Sequence, residues 1–426
     1  MRPDELHIQI QVMSPFNALG GGAVHARGIA GALRRRGVQT SLLCTGASSE
    51  WDDPECGRVV TARPSRLPLL WRWPAVSSLP HWVRTIRRTA GEADGIVSLS
   101  PVLAAASQRA LPGVPLVYCP AALHAFERAG KPPGFLERCE GVALRKSDAV
   151  LFSADEVREA AGADAGPQGP RHAVCPLGID ESRVLPAADP RPEVGIPPGA
   201  TVLLTVGSIN ENKGQRRIAG ALAEIGRNDW WWVIVGDGPD RSIVAAELRG
   251  SPFAARTVFV GDVERVGDWY GAADVLVAAS RCETFGLACA EALWSGLPIV
   301  IPQNQRGRVL SPLADAVETR GLGRTFDRDD PAALRRVLTE LAGDAELRAV
   351  IGREARAYAH RRFSWSRYGE HVLELLDVDG RCGCSSAPAA IEIKPIPIAA
   401  APSEVAPRTA PTAARATDTA TWGAPS

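Results

Sequence analysis

Apolar positions along this chain gather in short continuous runs, set apart by longer stretches whose apolar residues recur at helical spacing. "LHIQIQVMSP" predicts a first strand, and "GGGAVHARGIAGALRRRGVQTSLLC" a glycine loop, a helix that stops at Gly37 and a second strand. "ADGIVSLS", "GVPLVYCP" and "SDAVLFS" predict further strands, each leading into a stretch that can be helical, and "AVCPLGID" predicts a strand running out into a loop. Proline and glycine then crowd "DPRPEVGIPPG", residues 189–199, which reads as a linker. Beyond it the pattern restarts: "TVLLTVGSI", "WWWVIVGDGP", "RTVFVGDV", "ADVLVAAS" and "LPIVIP" are strand candidates with helical stretches between them.

Strands that are apolar on both faces and alternate with helices predict parallel sheets covered on both sides. The chain is therefore read as α/β, with one Rossmann-like domain over residues 1–188 and a second over 200–362. From 387 to 426 the composition turns to Ala, Pro, Thr and Ser, too poor in apolar content to offset the cost of ordering, and a disordered tail is expected.

Composition narrows the function classes. With 426 residues and 45% hydrophobic content, the chain can bury a core large enough for two domains. Acidic and basic residues balance at 48 each, so no bulk field draws nucleic acid, and no nucleic-acid partner is expected. Lysine is scarce: only Lys131, Lys146, Lys213 and Lys394. The nine cysteines are scattered, with only Cys382 and Cys384 close together at a spacing poor for zinc, so reduced thiols and a cytoplasmic location are expected; no cofactor is expected. No apolar run approaches the roughly 18 to 20 residues that span a bilayer, and the first residues lack the basic-then-apolar form of a signal peptide.

In open α/β sheets ligands bind beyond the carboxyl ends of the strands, so the loops there are where chemistry is sought. Gly20, Gly21 and Gly22 stand directly before a predicted helix, where backbone amides can approach a phosphate at the positive end of the helix dipole; the same glycines could be no more than a flexible turn. "SINENKGQRR" sets Lys213 before a glycine and the next helix, a plausible point charge for a phosphate. In "RCETFGLACAEALWSGLPIV", Glu283 sits at the end of a strand, Gly286 lets backbone come near a ligand, and amides from Phe285, Leu287 and Ala288 can point at an anion or a sugar hydroxyl. Glu291, about one turn into the helix, is placed to address the other end of a ligand bound across the helix start, and carboxylates suit vicinal hydroxyls.

Taken in order, these stretches resemble the large retaining glycosyltransferase family 4, of GT-B fold. The likeness covers roughly Ile8 to Leu376 and is carried most specifically by "ETFGLACAEALWSGLPIV", with support from "VCPLGID", "VGSINENKG", "VIVGDGP", "YGAADVLVAAS" and "RFSWSRY". The resemblance implies an enzyme that takes a nucleotide-diphosphate sugar, UDP- or GDP-linked, between two facing domains and passes the sugar to a hydroxyl acceptor with retention and without a metal. It implies ribose contacts for Glu291, sugar-hydroxyl contacts for Glu283, and amides from Phe285, Gly286 and Leu287. Lys213 would face the departing diphosphate, opposite the amides of Gly20 to Gly22. It also implies that the last helix, 363–378, returns to the N-terminal domain.

Two positions depart from the family pattern. Where an arginine commonly follows the glycine of the strand before the lysine loop, this chain has Ser208, so a diphosphate contact is missing or comes from Arg216, Arg217 or Arg281. The histidine that many members carry near the reacting sugar has its nearest candidate in His124, several residues late, and a core or surface role accounts for that residue as well. The acceptor has no readable fingerprint. "RPSRLPLLWRWPAVSSLPHWVRTIRR" mixes Arg with Trp and Leu, which suits peripheral contact with a membrane; a proline-interrupted loop with core-facing tryptophans accounts for it too. A sugar-nucleotide epimerase and a non-catalytic nucleotide-sugar-binding protein are the alternative readings of such an architecture.

Overall fold

The structure is a computed structural model and describes residues 5–18, 20–63, 74–121, 123, 134–162, 170–227, 229–305 and 311–376, the side chains of 74–78 apart. The expected tail and His124 lie outside the described residues, as do 64–73 of the Arg/Trp segment.

Two sheets organise the chain. The first has the order β3-β4-β2-β1-β5-β6-β7-β8, with β1 His7–Gln11, β2 Gln39–Thr45, β3 Ser49–Asp53, β4 Gly57–Ala62, β5 Gly95–Ser98, β6 Leu116–Tyr118, β7 Ala149–Phe152 and β8 Arg171–Val174. The second has the order β11-β10-β9-β12-β13-β14, with β9 Thr201–Val206, β10 Trp230–Val235, β11 Thr257–Gly261, β12 Val275–Val277, β13 Ile299–Pro302 and β14 Gly323–Phe326. Every pairing is parallel except β3 with β4. Continuous apolar runs such as β7 and β13 are buried along their whole length, as strands with helices on both faces must be.

Two local features depart from the sequence pattern. The strand β3, "SEWDD", is largely exposed at the edge and pairs antiparallel with β4, so it never had an apolar face to announce it. The helix Pro74–Thr89 runs through Pro80 instead of being interrupted by it. Trp82 and Ile86, fully buried on this helix, supply packing that outweighs the lost backbone bond.

The helix Trp365–Leu376 packs against the helix Gly21–Arg34 and strands β5, β6 and β7. Its fit is close: a Cβ on Gly28 would sit 2.2 Å from the Trp365 ring. Among the described residues no helix is long and apolar enough to cross a membrane.

Candidate active site

In each sheet the strand order turns at the first strand of its domain, β1 or β9, and a crevice opens at such switch points. Three helices begin there: Gly21–Arg34 after β1, Gln215–Ala223 after β9 and Leu287–Trp294 after β12. Their N-caps are Gly20, Gly214 and Gly286, none of which offers a side-chain cap, and none of the three helices has an acidic residue in its first turn. The first amides of these helices thus keep unmatched donors, and the dipoles keep their positive ends bare. All three starts open on one cavity of about 670 Å³.

Lys213 reaches this cavity because β9 pairs directly with β12, which places the loops leaving both strands side by side. The contact is tight: Gly214 has φ 71°, and a Cβ there would lie 2.2 Å from the carbonyl of Ala279, so only glycine lets the lysine loop approach. The Lys213 ammonium donates to Glu283 Oε1 at 2.5 Å, and the Ser280 hydroxyl donates to the same oxygen at 2.8 Å. Burial would lower the Lys213 pKa, but the charge and hydrogen bond of Glu283 outweigh it and the net shift is upward. Lys213 is therefore a fixed cation at neutral pH.

Glu291 is almost wholly buried and engaged on both oxygens. Arg183 donates from Nε to Oε1 at 3.0 Å, and the Tyr270 hydroxyl donates to Oε2 at 2.8 Å. Burial has the largest effect and the net shift of the carboxyl's pKa is upward, although the Arg183 charge and both hydrogen bonds oppose it and favour the charged form.

Thr284, between Glu283 and Phe285, crosses to the other domain. Its hydroxyl donates to the carbonyl of Ala121 at 2.9 Å, and the Ser153 hydroxyl donates to its carbonyl. The loop of Glu283 is thereby tied to the loops after β6 and β7, and Phe285 is buried edge-on against Phe363 at 5.6 Å between centroids.

Gly20, Gly21, Gly22, Ser208, Lys213, Glu283, Phe285, Gly286, Leu287 and Glu291 all line the cavity. Of the arginines considered as substitutes at Ser208, Arg216 pairs with Glu247 at 3.1 Å and Arg281 pairs with Glu211, both at exposed sites. Among the described residues Arg183 is the arginine that lines the cavity, and the sequence pattern singled out neither it nor the lining residues His25 and Gln215, nor Tyr270 behind Glu291. Gln215 donates to the Ser208 carbonyl at 3.0 Å, and its own amide oxygen is buried without a partner. Among the described residues no three His, Cys, Asp or Glu side chains are grouped to hold a metal ion.

Solved structures share this architecture. Sucrose-phosphate synthase from Thermosynechococcus elongatus superposes with TM-score 0.76 at 17% identity, covering 89% of this chain and 100% of that one. HepE of Anabaena, solved with UDP-glucose, gives 0.69 at 19%, covering 87% and 99%. The fold is GT-B. Residues 20–178 match the family model described as glycosyl transferase 4-like domain, and residues 200–344 that of glycosyl transferases group 1. Curated relatives include D-inositol 3-phosphate glycosyltransferases from Xylanimonas cellulosilytica and Catenulispora acidiphila. The first is 29% identical over 62% of this chain and 66% of that protein, the second 32% identical over 50% and 51%. The matches thus span between about half and 66% of the length of these relatives. The chain belongs to glycosyltransferase family 4.

Proposed function

We propose that this enzyme binds a nucleotide-diphosphate sugar, UDP- or GDP-linked, in the cavity and transfers the sugar to a hydroxyl acceptor with retained configuration, in the cytoplasm and without a divalent cation. The observation that carries the reading is the convergence of three uncapped helix starts and Lys213 on one cavity, a site made for an anion. The curated relatives, named as glycosyltransferases, and the neighbour solved with UDP-glucose support the same substrate class.

In this reading Glu291 accepts from the ribose hydroxyls and Glu283 from hydroxyls of the donor sugar. The amides of Phe285, Gly286 and Leu287 and of Gly20 to Gly22 hold the diphosphate from the two sides, together with Lys213. The anomeric bond to the diphosphate breaks as the acceptor oxygen bonds on the same face, and the acceptor proton passes to the leaving phosphate oxygen. Charge that develops on the diphosphate meets donors already fixed in place, usually the largest catalytic contribution.

Thermal shift against UDP, GDP, ADP and their sugars, followed by product analysis with labelled donor, tests the reading. Stabilisation by UDP or GDP and slow donor hydrolysis with retained configuration are expected. Epimerised sugar, or binding with no turnover toward any acceptor or water, would overturn it.

A further inference from the structure

We infer that Arg183 and Tyr270 are positioning residues that fix the Glu291 carboxylate, one on each oxygen, to receive two vicinal hydroxyls, and so make the site selective for a ribonucleotide. The inference rests on the assignment of Glu291 to ribose proposed above.

Three observations converge on it. Each carboxylate oxygen already has one donor, Arg183 on Oε1 and Tyr270 on Oε2, and each oxygen can accept from two. One acceptor direction per oxygen is left, and Arg183 and Glu291 both line the cavity. Two free acceptor directions on one carboxylate match a cis-diol and leave a deoxyribose half unsatisfied.

The two donors are also held as one body. Arg183 sits in the helical turn Glu181–Val184, before the linker, while Tyr270 sits in the helix Gly267–Ala272. A Cβ on Gly267 would come within 2.6 Å of the Leu185 carbonyl oxygen, so the glycine lets the turn press directly onto the helix. On the same helix Asp268 accepts from the amides of Ala187 and Ala188 at 2.6 and 3.0 Å, so the two elements are held together and set where both donors stand relative to Glu291.

Stability alone does not account for the arrangement. Side-chain exposure of Arg183 and Glu291 is 14% and 3%, and a pair so buried loses in desolvation much of what it gains in attraction. Apolar pairs of similar volume often hold a fold equally well. What the ion pair adds is a charged acceptor of fixed direction facing the cavity.

The test is calorimetry on the full chain with UDP and 2′,3′-dideoxy-UDP, or the GDP pair where thermal shift selects guanine. The wild type is expected to prefer the ribonucleotide by roughly 10-fold or more, the scale of hydrogen bonds to a charged acceptor. In Arg183→Met and in Tyr270→Phe the preference should fall to within about 3-fold while dideoxy affinity stays near wild type, and Arg183→Lys should retain part of it. A structural role would weaken both ligands equally, and that result overturns the inference. Preference kept in Arg183→Met and Tyr270→Phe but lost in Glu291→Gln also overturns it, leaving the ribose assignment standing. Preference kept in Glu291→Gln removes the ribose assignment itself and the inference with it. Should Arg183→Met fail to fold, Arg183→Lys and Tyr270→Phe give the same decision.

Discussion

Lys213 and Glu283, 70 residues apart in the chain, meet as an ion pair with 2.5 Å between Nζ and Oε1. Before a donor arrives, the cation proposed for the diphosphate is satisfied by the carboxylate proposed for the sugar. A diphosphate must share the ammonium with Glu283 or displace it, and a sugar hydroxyl arriving at Glu283 eases that exchange. In the proposed reading the pair links recognition of the sugar to the charge that receives the leaving group.

The first expectation concerns Lys213→Ala. With no charge facing the leaving diphosphate, turnover should fall by about 10² or more, the cost of removing a preorganised donor. The fold should survive the change, because both groups line the cavity and Glu283 keeps the Ser280 hydroxyl as a donor when the ammonium is gone. Wild-type turnover in the variant would remove Lys213 from the mechanism.

Glu283→Gln separates the two halves of the pair. It frees Lys213 from its internal partner, so bare nucleoside diphosphate should bind tighter, by roughly 3- to 10-fold, the scale of one net hydrogen bond. Turnover of the intact donor should nonetheless drop, since the sugar loses its acceptor. Calorimetry beside a turnover assay reads both; weaker binding of the bare diphosphate would contradict the displacement argument.

Ser208 is exposed at the cavity wall and its carbonyl already holds Gln215 in place. Arg216 and Arg281 are engaged with Glu247 and Glu211, and neither they nor Arg217 line the cavity, so none of the three stands in at the position where the family commonly has an arginine. Ser208→Arg should therefore tighten nucleoside diphosphate by about 1 to 2 kcal/mol, with the gain shrinking at high salt. Titration at two ionic strengths checks this. An unchanged affinity in a folded variant would mean that the amides and Lys213 already saturate the phosphates.

The paired Rossmann-like pattern was legible because both sheets bury their strands on two faces, which writes each strand as a short apolar run bounded by Gly or Pro. The cavity glycines were legible for a related reason: Gly214 and Gly286 hold positive φ at helix starts, a conformation that selects the residue type. The Lys213–Glu283 pair was not, since it depends on β9 lying beside β12 although β10 and β11 come between them in the chain. Arg183 carried no local signal at all. It belongs to a four-residue turn too short for periodicity, and only the docking of that turn on the helix of Tyr270 gives it a partner. Strand β3 escaped because an exposed edge strand needs no apolar face.

Thr284 ties the loop of Glu283 to the N-terminal domain through Ala121 and Ser153. Thr284→Val keeps the shape and removes the hydroxyl, leaving the Ala121 carbonyl without that donor. Turnover should fall by about 2- to 12-fold, equivalent to a net hydrogen bond of 0.5 to 1.5 kcal/mol, while affinity for bare nucleotide stays the same. Loss of nucleotide affinity in parallel with turnover would show instead that the loop itself has collapsed.

His25 supplies the pH dependence. It lies in the first helix, 4% exposed, with Nε2 bonded to the Tyr368 hydroxyl at 2.9 Å, so it joins the helix whose start faces the cavity to the last helix of the described chain. Burial depresses its pKa from 6.5 to about 3. The folded state thus prefers the neutral ring, and this contribution to stability is complete above pH 6.5 and lost progressively as pH falls toward 3. Between pH 7 and pH 5 the loss should be about 2 kcal/mol, since each unit of pH below the unfolded pKa costs about 1.4 kcal/mol. His25→Gln keeps a hydrogen-bonding side chain that does not titrate. It should be less stable than wild type at pH 7, with the gap closing by about that amount at pH 5. Urea unfolding of both proteins at the two pH values measures the difference, and the comparison cancels carboxylates common to both. A gap that does not narrow on acidification would mean that the ring already takes up its proton in the folded state.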